Sequence, residues 1–560
     1  MASVELVLAA VAAADLCLQY GKKLVGTYQD FKNADEYVRT RIVIVEAIWS
    51  KTTVQVGFVK RVAKTLEEEH CRIHLNVFEI LKSKLVMATS KIESVMKKTS
   101  ESGIKRWKLV FLRDSIDDTI TQLEQWQRIF DPTWYLILRI GDKLIDAELL
   151  SADEPETGRP STAASSATTL VSAQKFRDTI KDDKWGGGSA HHVSLPDALD
   201  WDAAAEIKYS STQLVQRAAD RSERLYVVDT IVCHSSLDVY AARTDAESLA
   251  KKLSQVEPGT FGLLVCHGFI KRKNPQTRHL VSMSLAFRPP TESKQHRQPA
   301  SLRQHLMQGS SGSGCPFSLT RVLSIARQLA QAVSYIHTCD FVHKNIRPET
   351  VLVFPDADEE HRDGVEKPST LGSAYLLGFD SFRSVNFGTL RSGDEAWERN
   401  LYRHPSRQGF QAQRDYIMQH DVYSLGVCLL ELGLWESFVQ YYRHDGGAEA
   451  VELAEDEDVR PSEGLGLKLK DLEFATEVPT SPLPSPSSGK IKEHLVGLAR
   501  SKLPLRMGDK FTAVVVTCLT CLDEGNEDFG DQSEMCDDDG ILIGVRFIEK
   551  VLFKLSEISF

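Results

Sequence analysis

Over residues 1–147 apolar positions recur at helical intervals. Leu6 to Ala14 is an unbroken apolar run, broken by Asp15 and resumed at Leu16, Cys17 and Leu18. Val38, Ile42, Val45, Trp49, Val56, Val59 and Leu66 follow at spacings of three, four and seven. Ile73, Val77, Ile80, Ala88, Ile92 and Val95 repeat the pattern. Residues so spaced share one helix face, so each segment carries one apolar stripe. A fourth segment, Trp107 to Phe130, is expected to end at Asp131-Pro132, because proline cannot extend a helix. Three or four such helices predict an antiparallel bundle over residues 1–148.

Ser151 to Thr169 is rich in Ser, Thr, Ala, Glu and Pro, and Gly186-Gly187-Gly188 follows. Such composition buries little apolar surface, which predicts a disordered linker over 149–203. From 204 to 560 strands and helices mix. Leu225 to Val228, Gly262 to Cys266 and His279 to Phe287 have strand length, and Asp245 to Val256 fits a helix. Ser318 to His337 is a strong helix whose buried face is Val322, Ile325, Leu329, Val333 and Ile336. Low-complexity inserts are expected at 355–370, at 443–490 (acidic, then Pro/Ser-rich) and at 523–539. The last holds nine acids in 17 positions but lacks the residue order of a calcium loop, so a solvated loop is expected.

Composition narrows the class. A chain of 560 residues implies two or three domains. With 42% hydrophobic and 26% charged residues it is neither wholly disordered nor collagen-like nor a multi-span membrane protein. A net charge of −11 argues against general nucleic-acid binding. Ten cysteines are too sparse for a disulfide scaffold. Cys518 and Cys521 form a lone C-x-x-C, expected to be two core thiols on one helix rather than a metal or redox site. The start lacks the cationic region of a signal peptide, and no run reaches about 18 apolar residues, so a cytoplasmic chain is expected.

The most informative run is Tyr335 to Val353, with His343, Lys344, Asn345, Arg347, Pro348, Glu349 and Thr350 at its centre. It resembles the catalytic-loop region of protein kinases, H-R-D-L-x-x-x-N. Gly378-Phe379-Asp380 then stands where kinases carry D-F-G. Tyr402-Arg-His-Pro405 resembles the end of an activation segment, and Asp421 to Leu432, with Gly426, resembles the large helix of the C-terminal lobe. The resemblance implies a two-lobed α+β kinase-like fold after an all-α bundle. In it His343, Pro348, Phe379, Pro405, Asp421 and Gly426 serve the fold, Asp421 anchoring backbone near the loop. The same positions argue against phosphoryl transfer, which uses an Asp as proton acceptor and an Asn and an Asp to hold metal. Here the proton acceptor is Asn345, whose amide has no useful basicity. The metal ligands are Thr350 and Gly378, and Asp380 is expected to face elsewhere. No Gly-rich phosphate loop precedes Leu225. Aligning Leu225 to Asp229 with V-A-I-K puts Asp229 where the phosphate-pairing lysine belongs. Glu247 is a candidate helix glutamate with no lysine partner apparent.

The N-terminus Ser3 to Asp15, the kinase-like segment and the run Tyr402 to Gly409 together resemble the filamentous-fungal HeLo-type proteins with a kinase-like domain. The layout is also similar to the animal mixed-lineage kinase domain-like protein. The resemblance implies a cell-death or incompatibility executor: a pseudokinase regulating a bundle that acts on the plasma membrane after oligomerising. Protein partners would meet the kinase-like part, and no cofactor is expected. Leu6, Val7, Leu8, Val11, Leu16 and Leu18 are the membrane candidates, in a segment Val4 to Leu18 too short to span alone. A buried core helix remains the other reading of that segment. Lys97-Lys98 and Lys105-Arg106-Trp107-Lys108 are groups able to meet anionic lipid, but with a net charge of only +2 over residues 1–150 a generally solvated face is the expected reading. Two alternatives stay open: an atypical Ser/Thr-type kinase binding ATP and Mg, and a two-domain interaction scaffold.

Overall fold

A computed structural model describes residues 2–33, 35–97, 106–150, 162–185, 199–217, 225–233, 238–290, 298–309, 315–355, 371–384, 392–394, 396–411, 415–442, 458–472, 486–529 and 541–560. The chain forms two compact units, Met1–Gly188 and Ser189–Phe560.

The first unit is all helix: α1 (Val4–Gln29), α2 (Glu36–Val62), α3 (Glu68–Lys97), α4 (Arg106–Ile137), α5 (Lys143–Leu150) and α6 (Thr162–Trp185). Helix α1 packs on α2 and α3, and α4 closes the other side against the same two. Ser3 caps α1 by accepting the Leu6 N–H, and Asp35 caps α2 by accepting the Val38 N–H. Gly21 lets α1 approach α2 closely, since a Cβ there would lie 1.9 Å from the Trp49 ring.

Three expectations change here. The helix does not stop at Asp131-Pro132 but runs to Ile137 with Pro132 inside. An interior proline costs about 3 kcal/mol. Continuing the helix buries Trp134, Leu136 and Ile137, worth about 1.5–3 kcal/mol each, which outweighs it. Asp131 is itself buried and held by Lys51 (3.1 Å), Gln55 (3.0 Å) and Gln127 (2.7 Å).

The linker expected over 149–203 contains helix α6, so the first unit extends past residue 148. Leu170, Ala173, Phe176 and Ile180, spaced three, three and four apart, form an apolar stripe that the surrounding Ser and Thr obscure in the sequence. Arg177 fastens it, bonding Asp146 (2.6 Å) and the carbonyls of Leu138, Ile140 and Asp142. Residues 151–161 and 186–198 of that expected linker lie outside the described residues.

Helix α1 is also longer than Val4 to Leu18. By length and composition Val4–Gln29 and Glu36–Thr65 are both able to cross a membrane, a measure that core helices of soluble bundles also meet. Ala10, Ala13, Ala14, Cys17, Gly21 and Leu24 form the buried face of α1. Among the candidates Leu8 and Leu16 are exposed, while Leu6, Val7, Val11 and Leu18 are half-buried. Lys98 and Lys105, and the side chains of Lys97, Arg106, Trp107 and Lys108, lie outside the described residues.

The second unit opens with an antiparallel sheet: β1 (Leu199–Glu206), β2 (Gln213–Arg217), β3 (Leu225–Val232), β4 (Cys266–Lys273) and β5 (Leu280–Phe287), ordered β1-β2-β3-β5-β4. Helix α7 (Val239–Leu253) lies between β3 and β4 in sequence and packs on β4 and β5. The strand expected at Gly262 to Cys266 begins only at Cys266. A short helix α8 (Pro258–Phe261) precedes it, and Gly262 ends that helix at φ 61°, where a Cβ would lie 2.5 Å from the Gln328 carbonyl oxygen.

Next come β6 (Ala300–Ser301), α9 (Leu302–Gly309), α10 (Leu319–Thr338), β7 (Phe341–Val342), β8 (Val351–Phe354), β9 (Ser373–Leu376), β10 (Arg383–Ser384), β11 (Ser392–Asp394), α11 (Trp397–Asn400) and β12 (Gly409–Gln411). Helix α12 (Met418–Leu434) is buried along its whole length, because α10 and α13 (Pro486–Leu519, kinked at Gly508) both pack on it. Gly426 permits the α12–α13 approach, since a Cβ there would lie 2.8 Å from that of Cys518. Helices α14 (Ile541–Phe547) and α15 (Phe553–Ser556) close the unit.

The expected insert 443–490 is partly folded. β13 (Val439–Tyr442) pairs with β14 (Asp458–Pro461), and α13 starts at Pro486. The acidic stretch is partly engaged too, since Asp523 pairs with Lys492 and Asp528 with Lys550. Residues 356–370, 443–457, 473–485 and 530–540 lie outside the described residues. Cys518 and Cys521 are both buried, but Cys521 lies beyond the end of α13 rather than on it.

Candidate functional site

The run Tyr335 to Val353 leaves α10, crosses β7 and turns into β8. The turn is built on Asp421, at the start of α12. Its carboxylate accepts the backbone N–H of His343 (2.7 Å) and of Lys344 (2.9 Å) and the Tyr416 hydroxyl (2.7 Å), and the His337 ring lies 3.1 Å away. These bonds hold Lys344 at φ 67°, a left-handed conformation that side chains disfavour. Burial pushes the His343 imidazole down against the opposing pull of Asp421 and Asp380. Its Nε2 meets the Leu377 carbonyl at 3.0 Å, joining the loop to the chain after β9. Pro348 opens a single turn, Pro348–Thr350, and Pro405 another, Pro405–Arg407.

The structure gathers Asn345, Thr350, Gly378 and Asp380 in one place. Asp380 does not face elsewhere. Its Oδ1 accepts the Asn345 side-chain Nδ2–H at 2.8 Å, and Asn345 Oδ1 accepts Arg347 Nε–H at 2.9 Å. The Thr350 hydroxyl donates toward the Asn345 and Arg347 carbonyls, 2.9 and 2.8 Å away, so it braces the loop. Gly378 has φ 81°, and a Cβ there would lie 2.2 Å from Thr350 Cγ2. A side chain at 378 is therefore excluded twice, by backbone conformation and by collision.

Asp229 on β3 reaches the same turn. Its Oδ2 accepts the Phe379 N–H at 2.5 Å, and among the described residues nothing bonds its Oδ1. Burial, with help from the nearby Asp380, pushes this carboxyl up to about 7. The Phe379 ring packs on His343 (centroids 4.9 Å) and Phe287 (6.0 Å), so loop, turn and sheet share one apolar contact.

Glu247 on α7 has a lysine partner after all, Lys271 on β4, and also bonds Arg243 at 3.0 Å. Half-burial would raise its carboxyl, but these two cations hold it below the usual range. The partner is 24 positions away in sequence, and only the packing of α7 on β4 brings it near.

Sequence reasoning missed a buried charge cluster centred on Arg303 of α9, which is 0% exposed. Its guanidinium bonds Glu349 (2.9 Å), Glu431 (2.6 Å), Ser437 (2.7 Å) and the Tyr402 hydroxyl. Tyr441 also donates to Glu349 at 2.8 Å. Burial would raise the Glu349 carboxyl, yet Arg303 and Arg347 hold it at about 2. At Glu431 burial prevails over Arg303 and the carboxyl is raised. Glu349 and Glu431 lie 46 and 128 positions from Arg303, with no local pattern to announce them.

Among the described residues no group of three or more His, Cys, Asp and Glu is arranged to hold a metal ion. No family model matches this chain, and none of the curated proteins matches it.

Proposed function

We propose that this chain is a signalling protein of the cell-death or incompatibility type, in which a kinase-like unit without phosphoryl-transfer chemistry regulates a membrane-active helical unit. The sheet order β1-β2-β3-β5-β4, with a helix between the third and fourth strands, supports a kinase-like N-terminal lobe. Support for the C-terminal lobe comes from the Asp421-anchored loop and the wholly buried α12.

One observation carries the loss of catalysis. Asp229 occupies the strand position that aligns with the phosphate-pairing lysine, and it caps the Gly378-Phe379-Asp380 turn instead. The Mg·ATP of kinases does not fit these residues. The Thr350 hydroxyl is engaged with carbonyls, Gly378 has no side chain, and Asp229 supplies no cation to pair with phosphate.

Helix α1 supports the membrane arm. Its exposed side carries Val4, Leu8 and Leu16, followed by Lys22 and Lys23. Such a face suits the boundary of an anionic leaflet, and oligomerising helices could then pool their polar faces. The kinase-like unit would dock protein partners and hold the helical unit silent in the cytoplasm until a cue recruits it to the plasma membrane.

The test compares residues 1–188 with the full chain on anionic vesicles. The helical unit alone should bind more, and equal binding of the two overturns the proposal. A melting point that rises with Mg·ATP would favour the atypical kinase instead.

A further inference from the structure

The helical unit holds two histidines that nothing in the proposed function uses. His70 and His74 lie one turn apart on α3, 1% and 0% exposed. Among the described residues none of their four ring nitrogens has a hydrogen-bond partner. The His74 ring sits 6.0 Å from both the Phe78 and the Phe130 rings, in the seam between α3 and α4. Arg139, just beyond α4, is the charge that acts on His70. The seam lies at the end of the bundle where α1 begins, since the Ala2 N–H donates to the Leu66 carbonyl there.

We propose that His70 and His74 form an acid-sensitive latch, and that protonating them opens the α3–α4 seam at the end of the bundle where α1 starts. A neutral imidazole with no partner is tolerated in an apolar site, whereas an imidazolium with no acceptor is not. Charging both rings would place two cations in the seam beside the Arg139 guanidinium.

The carboxylates on the surrounding elements are in no position to compensate. Glu5 on α1 and Glu67 and Glu68 at the head of α3 are exposed, and Glu69 pairs with Arg72. Asp15 pairs with Lys60 and Glu148 with Arg61. Asp131 on α4 is bonded to Lys51, Gln55 and Gln127, and Asp142 caps the Leu144 N–H. Lys64, beside Leu66, adds only positive charge.

Burial holds His70 down to about 4 and His74 to about 3. An opened seam, with rings near their ordinary value of about 6.5, takes up protons that the closed form refuses as pH falls below that value. The device stands whether or not the membrane reading holds; with it, acid becomes a cue that frees α1.

The experiment is amide hydrogen exchange on the full chain without vesicles, corrected for intrinsic rates, at pH 7.5 and 5. Amides of 70–80 and 130–140 should exchange about thirtyfold faster at pH 5 if one ring is exposed on opening, and about a thousandfold faster if both are. A His70→Leu/His74→Phe variant should remove most of that acceleration. Equal protection of the native chain at both pH values overturns the latch, as does acceleration that persists undiminished in the variant. Should the variant not fold, ring titration of the native chain by NMR decides. Rings silent until the seam opens support the latch, and either ring titrating near 6.5 in a closed seam overturns it.

Discussion

The carboxylate of Asp229 accepts the backbone N–H of Phe379 at 2.5 Å, tying β3 to the turn that follows β9. The carboxyl is buried and lies near Asp380, and its pH dependence follows from that burial.

The Asp229 carboxyl is raised from an ordinary value of 3.8 to about 7. The folded form therefore keeps a proton that the unfolded chain gives up. This contribution is fully present below pH 4 and is lost as pH rises toward and through 7, by about 4 kcal/mol on an order-of-magnitude basis. Asp229→Asn keeps an acceptor for Phe379 and removes the charge. Its melting transition for the second unit should lie above that of the native chain at pH 8 and close to it at pH 4. A variant less stable than the native chain at pH 8 would contradict the assignment.

Placing an acid at 378 should not confer binding of Mg·ATP. Gly378→Asp must place a Cβ 2.2 Å from Thr350 Cγ2 at φ 81°, which costs about 2–4 kcal/mol. The loss should shrink when Thr350→Gly is added, as a double-mutant cycle in urea would show. Neither variant should gain a thermal shift with Mg·ATP.

Trp49 closes over Gly21, so Gly21→Ala should wedge α1 away from α2. The expected destabilisation of the helical unit is about 1–3 kcal/mol, with faster exchange of α1 amides and stronger binding to anionic vesicles. Trp49→Leu should relieve the stability loss of Gly21→Ala. Unchanged vesicle binding despite a loosened α1 would separate α1 from the membrane step.

Removing the centre of the buried charge cluster should be the most damaging single change. Arg303→Met strips both Glu349 and Glu431 of their ion-pair partner, leaving Arg347 as the remaining cation near Glu349, a loss of about 3–5 kcal/mol. Glu431→Gln, which retains an acceptor for Arg303 and the Phe438 N–H, should cost less. Relative soluble yield and urea midpoints would rank the two.

The long helices and the helix capped by Ser318 were legible because each buries a periodic face, and β3 and β5 because each is a short apolar run of strand length, all within one stretch of chain. Helix α6 was not, because its four apolar positions sit among Ser, Thr and Ala that suggest a linker. The continuation through Pro132 was hidden because packing outweighed a local rule. At the site, the identities of Asn345, Thr350 and Gly378 are read directly from the sequence, but the inward turn of Asp380 depends on an amide 35 positions away. Lys271 beside Glu247, and the partners of Arg303, meet only through the tertiary fold.

The collision between position 378 and Thr350 also works as a ratchet. A chain carrying this pair cannot take an acid at 378 in one step without passing through a strained intermediate. Change at 378 is thereby made conditional on change at 350, so the two positions are constrained as one unit.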